Sequence, residues 1–267
     1  MIYLVIKFGN LPIVVLVVAD QHLHMPMYFF LGNLSNMKIC YTSTILPRLL
    51  ASFLTRDRTI PAQGCMTQLF FLGCFAGTEC HLLATMSYDQ DLAICQPLLY
   101  TSLTNGKVFL QLVDGPWLAG LLMSAIVTGQ FSRLQFCGPN KMNHVFCGFA
   151  PLLELACSDT RVLRLVTFLI CVLDVVFLFV FTLVSYICII AAILRIPTTM
   201  GRQKAFSYCF PTFSLCSSHL IMVSVFYGTP IIVYVVPRTA SLRQLNKVLS
   251  FFYTILMPMV NPLLYSL

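Results

Sequence analysis

The feature that most constrains this chain is the length of its apolar runs. Seven can be marked, at approximately 2–19, 27–50, 65–88, 108–129, 162–194, 205–236 and 246–266. A helix needs about 20 apolar residues to cross a bilayer, and only helices and closed barrels satisfy their backbone there. A transmembrane barrel would show alternating segments of about 10 residues, far shorter than these runs. Hydrophobic residues make up 58% of the chain and charged ones 9%, against about 25% charged in soluble domains. A water-soluble surface could not be built from this supply, and disorder and low-complexity chains fail on the same ground. The expected fold is an all-α membrane protein, one domain over 1–267, with short connections and one long loop from Gln130 to Arg161. The first run is broken by Lys7, Gly9, Asn10 and Pro12. Without a basic start or a small-residue cleavage site it is no signal peptide, and it reads as a span whose beginning is lost.

The net charge of +7, from 16 Lys+Arg against 9 Asp+Glu, is scattered singly through the loops. Nucleic-acid binding would gather the bases on one face, so these charges are read as helix ends at lipid headgroups. Loops on one side carry Lys107, Arg195, Arg202 and Lys204, and those on the other Arg56, Arg58, Arg133, Lys141, Arg161, Arg164, Arg238 and Arg243. The positive-inside rule would place the second, richer set inside. That set shares its side with Cys137, Cys147 and Cys157, spaced ten apart in a polar stretch, a pattern suited to disulfides on an oxidising face. The two signals conflict. The remaining cysteines among the 12 lie mostly in apolar runs, as inert small hydrophobes.

An ionised side chain at membrane depth costs about 2.5–3.5 kcal/mol even on a mild scale, so those present need partners or water. Lys38 lies in the second run, Glu79 in the third and Asp174 in the fifth. Lys38 and Glu79 can neutralise each other across neighbouring helices, or titrate to neutral. Asp174 has no evident partner, and Lys7 can snorkel to the interface. No His-Glu-x-x-His, Gly-x-Ser-x-Gly or phosphate loop is present, so neither an enzyme nor a cofactor site is expected. His144 and Cys147 make too small a set for a metal. Phe206 to Thr212 is echoed by Phe213 to His219, a seven-residue repeat that would lengthen a helix with little rotation of its faces.

Beyond composition, the strings PMYFFLGNLS (Pro26 to Ser35), MSYDQDLAIC (Met86 to Cys95), QPLLY (Gln96 to Tyr100), CGPN (Cys137 to Asn140), LACSDT (Leu155 to Thr160), KAFS (Lys204 to Ser207), CSSHL (Cys216 to Leu220), FYGT (Phe226 to Thr229) and PMVNPLLYSL (Pro258 to Leu267) occur in order. Together they span essentially the whole chain and closely resemble the olfactory (odorant) receptors of the rhodopsin-like G-protein-coupled family. The resemblance implies a seven-transmembrane bundle in the cell membrane with an extracellular N-terminus, which overrides the charge count. It implies disulfides Cys65–Cys147 and Cys137–Cys157. It implies a small volatile odorant bound by Leu72, Gly73, Ala76 and Gly77, by Ile170, Cys171 and Asp174, by Tyr227, Ile231 and Tyr234, and by Thr254. A heterotrimeric, stimulatory G protein is the implied partner. Asn261, Pro262 and Tyr265 would form the helix-seven switch, with Tyr186 opposite them.

Departures from the family pattern carry expectations of their own. The Asp-Arg-Tyr triplet reads Asp89-Gln90-Asp91, and an amide cannot replace a guanidinium fork, so coupling to the G protein is in question. Lys38 stands where the family has an acid that forms a sodium-type site with the helix-three Glu. A Lys38–Glu79 ion pair would then lock the bundle without sodium. Gly148 replaces the acid after the loop cysteine, and the interval from KAFS to CSSHL is seven residues longer than the family norm. The chain begins within helix one and stops just after Tyr265. The expectation is a divergent receptor truncated at both ends, with a non-signalling or decayed protein of the same fold as the alternative.

Overall fold

The computed structural model describes residues 2–20, 26–55, 59–96, 100, 106–136, 147–148, 152, 155–157 and 161–195. They form five helices: α1 (Ile2–Ala19), α2 (Pro26–Thr55), α3 (Ala62–Cys95), α4 (Gly106–Phe131) and α5 (Arg161–Leu194). Among the described residues, α3, residues Gln111–Phe131 of α4 and Leu165–Ala192 of α5 are long and apolar enough to cross a membrane. Helix α2 outruns its predicted span of 27–50, and α3 outruns 65–88 at both ends. Hydrogen bonding along the backbone continues a helix past the point where its side chains become polar. The predicted sixth and seventh spans lie outside the described residues.

Helix α3 is the axis of the described bundle, packed against α2, α4 and α5, while α1 lies against α2. Pro61 precedes α3 with φ −65° and ψ 147°, and its carbonyl accepts the Cys65 N–H at 3.0 Å. Proline is suited to this place because it needs no helical donor and cannot continue a helix backwards. The buried face of α3 closes a core of Leu72, Cys80, Leu83 and Ala84 with Leu34, Met37, Tyr41 and Ile45 of α2 and Leu178 of α5. On the outer faces, Leu118 and Leu122 of α4 and Leu173, Phe177 and Ile187 of α5 are exposed. Apolar stripes of this extent suit lipid rather than water.

Several polar side chains inside the helices bond a carbonyl one turn back, as an apolar medium favours, while among the described residues Thr78 and Thr128 Oγ1 are buried without a hydrogen-bond partner. Thr42 donates to the Lys38 carbonyl at 2.8 Å, Ser87 to Leu83 at 2.9 Å and Thr182 to Leu178 at 2.8 Å. The Asn33 amide donates to the Phe29 carbonyl at 2.9 Å and accepts from the Trp117 indole at 3.4 Å. Lys7 folds its ammonium over the Tyr3 ring, 4.7 Å from the centroid.

Candidate functional site

The expected ligand wall on α3 divides on close view. Leu72 is buried in the core shared with α2, and Ala76 packs half-buried against that core. Gly73 and Gly77 face α4 instead. A Cβ on Gly73 would meet the Ser124 hydroxyl at 2.9 Å, and one on Gly77 would meet the Gly120 Cα at 3.2 Å. Opposite them, a Cβ on Gly120 would fall 2.6 Å from the Cys74 carbonyl and 2.7 Å from the Thr78 nitrogen. Ser124 donates to the Phe70 carbonyl across the same seam. Small residues four apart on each helix let the two backbones touch, so these glycines set the α3–α4 spacing.

Two pairs of ionisable groups link α3 to its other neighbours. The Lys38 ammonium of α2 bonds the Glu79 carboxylate, with side chains only 3% and 4% exposed. On the other side, His81 Nε2 lies 3.5 Å from Asp174 Oδ1 of α5, with side chains 20% and 29% exposed. His81 Nδ1 is 2.9 Å from the Gly77 carbonyl. A carbonyl can only accept, so Nδ1 carries a proton. The contact with Asp174 is then an ion pair when Nε2 carries a proton as well. Asp174, with no partner evident in the sequence, thus finds one in His81: sequence spacing could not reveal a histidine brought to it by α3–α5 packing.

At one end of the bundle Cys65 and Cys147 are joined by a disulfide with Cα atoms 5.4 Å apart. Cys157 is also disulfide-bonded, while Cys137 lies outside the described residues. Phe136 and Ala156 form an antiparallel bridge, and the Cys157 N–H donates to the Gln135 carbonyl at 3.0 Å. Phe131, Leu152 and Leu69 pack around the Cys65–Cys147 bridge. At the opposite end Asp89 and Gln90 are buried, 8% and 5% exposed. The Tyr100 phenol hydrogen-bonds Asp89, and burial together with that carboxylate pushes the phenol up to about 12. It stays protonated and donates. Asp91 Oδ1 is buried with no hydrogen-bond partner among the described residues, and Tyr186 is buried on α5.

The olfactory receptor family model matches residues 1–267. The chain belongs to the olfactory receptor family. Mouse (Mus musculus) olfactory receptor 5AP2 is 44% identical over 266 residues, covering 100% of this chain and 82% of its own. Human (Homo sapiens) olfactory receptor OR9H1 is 46% identical over 266 residues, covering 100% of this chain and 84% of its own. The crystal structure of squid rhodopsin superposes with a TM-score of 0.74 at 16% identity, covering 99% of this chain and 74% of that one. This family member is thus a multi-pass membrane protein with the rhodopsin-like seven-helix fold, and not an enzyme.

For the olfactory receptor family member, Tyr227, Ile231, Tyr234 and Thr254 of the expected pocket lie outside the described residues, as do Asn261, Pro262 and Tyr265. Ile170 is half-buried on α5, and the Cys171 side chain is outside the description. The structure adds three residues that sequence reasoning passed over. Tyr100 closes the QPLLY string, whose spacing does not reveal its contact with Asp89. His81 shares the Gly77 face of α3 by i, i+4 spacing, which was a readable signal. Gln68 gave none.

Proposed function

We propose that this receptor detects small volatile odorants in the cell membrane, its N-terminus extracellular, as a single seven-helix unit over residues 1–267. The match to the olfactory receptor family along the whole chain carries this reading. The odorant occupies the space between helices three, five, six and seven. Ala76, Ile170 and Asp174 line it from the described side, and Cys171, Tyr227, Ile231, Tyr234 and Thr254 complete it. Leu72, Gly73 and Gly77 shape it indirectly, through core packing and the α4 seam. An apolar wall with a few polar anchors suits a small volatile molecule. Odorant binding shifts the helix-six and helix-seven equilibrium and opens a cytoplasmic cleft for a stimulatory G protein.

Gln90 favours a second reading, a membrane protein of the same fold that does not signal. Asp89 is held by a phenol, and no guanidinium stands at position 90 to meet a G protein. The experiment measures surface display together with basal and odorant-driven cyclic AMP, for this chain and for Gln90→Arg. Signalling that appears only in Gln90→Arg supports an intact pocket with a broken coupling end. Signalling without the change removes the second reading. Surface display without a response to a broad odorant panel in either form contradicts the first.

A further inference from the structure

We propose that Gln68 is a positioning residue that fixes the direction of Cys147, the disulfide-bonded loop residue, against α3 and α2. Gln68 is 8% exposed, and its amide joins three elements. Nε2 donates to the Thr44 carbonyl of α2 at 3.2 Å, and Oε1 accepts the Cys147 N–H at 3.1 Å. The orientation is fixed by its partners, because a carbonyl can only accept and a peptide N–H can only donate. Thr44 sits in the turn before Pro47, which lies inside α2. Pro47 lacks the N–H that would reach the Ser43 carbonyl, so this turn is already opened one residue before Thr44, whose carbonyl takes the Gln68 amide.

The placement of Gln68 relative to Cys65 gives this clamp its effect. The two residues stand one helical turn apart on the same face of α3. Cys147 is therefore held twice, by its side chain at Cys65 and by its backbone at Gln68. A disulfide alone leaves the loop free to turn about one tether. A second point a turn away fixes its direction along α3, and the link to Thr44 ties that direction to α2. Leu152, buried against Cys65, Leu69 and Phe131, seats the following loop segment. Cys147 and Leu152 are thus fixed against the Cys65 end of α3. That Cys147 borders an odorant site rests on the receptor reading; that Gln68 sets its position does not.

The test is hydrogen exchange on the full chain in lipid nanodiscs, comparing the parent protein with Gln68→Met and Gln68→Glu. Methionine keeps the bulk and loses both bonds, whereas glutamate keeps an acceptor for the Cys147 N–H. The proposal expects a protected Cys147 amide in the parent protein and in Gln68→Glu. In Gln68→Met it expects exchange about tenfold faster, the size of one lost buried hydrogen bond, with the α3 peptide around 78–88 unchanged. A Gln68→Met protein that protects Cys147 like its parent overturns the proposal. So does a loss of protection that spreads equally through 78–88, which would make Gln68 a general packing residue. An unprotected Cys147 amide in the parent protein overturns it without any variant. The readout needs neither odorant nor G protein, so it stands or falls apart from the proposed function.

Discussion

Glu79 and His81 are near neighbours on α3, yet roughly 200° apart around the helix, and they meet opposite environments. Glu79 faces α2 and is sealed against Lys38, with almost no exposed surface on either side chain. His81 faces α5 and meets Asp174 across a longer gap, with a quarter or so of each side chain open. A sealed pair in an apolar core cannot come apart cheaply, because each partner leaves behind an uncompensated charge. An open pair can exchange partners, admit water or give up a proton at little cost. The comparison assigns Lys38–Glu79 to holding the bundle and His81–Asp174 to the adjustable side, where α3 and α5 border the proposed ligand space.

The largest effect should follow from breaking the sealed pair. Lys38→Met strands Glu79 and is expected to cost about 3–5 kcal/mol, read as a fall in thermal stability and in surface display. Lys38→Asp sharpens the same point: two carboxylates would face each other and need a cation, so stability should become sodium-dependent where the parent protein is insensitive. Next comes the seam behind the open pair. Gly120→Val forces atoms into the Cys74 and Thr78 backbone, an overpacking worth about 1–3 kcal/mol, checked by the same melting measurement. Smaller again is Asp174→Asn, expected within about 1 kcal/mol in stability but with an altered odorant response. An unaltered response across a panel would remove Asp174 from the proposed pocket. The smallest is Lys7→Gln, which removes the cation–π contact with Tyr3, worth about 0.5–1 kcal/mol.

The difference between the two pairs also explains what the sequence could disclose. Membrane-length helices were legible because hydrocarbon imposes a composition on every residue of a span. Lys38 with Glu79 was legible because burying two opposite charges without pairing them is so costly. His81–Asp174 was not, since a partly exposed pair pays a smaller penalty and its partners meet only through α3–α5 packing. The α3–α4 seam was written in Gly73, Gly77, Gly120 and Ser124, small residues at four-residue spacing. That pattern was read for ligand contact on one helix and not at all on the other. Gln68 left no trace, because an amide near a helix end is ordinary until the carbonyl before Pro47 and the Cys147 N–H are brought to it. Tyr100 was visible as a motif, but its role depends on its meeting Asp89.

The most direct test of the sealed pair is a double-mutant cycle on the purified receptor in nanodiscs, with melting followed for Lys38→Met, Glu79→Gln and the two together. The account predicts that each single change destabilises and that the double variant recovers most of the loss, because removing both charges leaves no stranded partner. A Glu79→Gln protein that melts like its parent, or single effects that simply add, would contradict it.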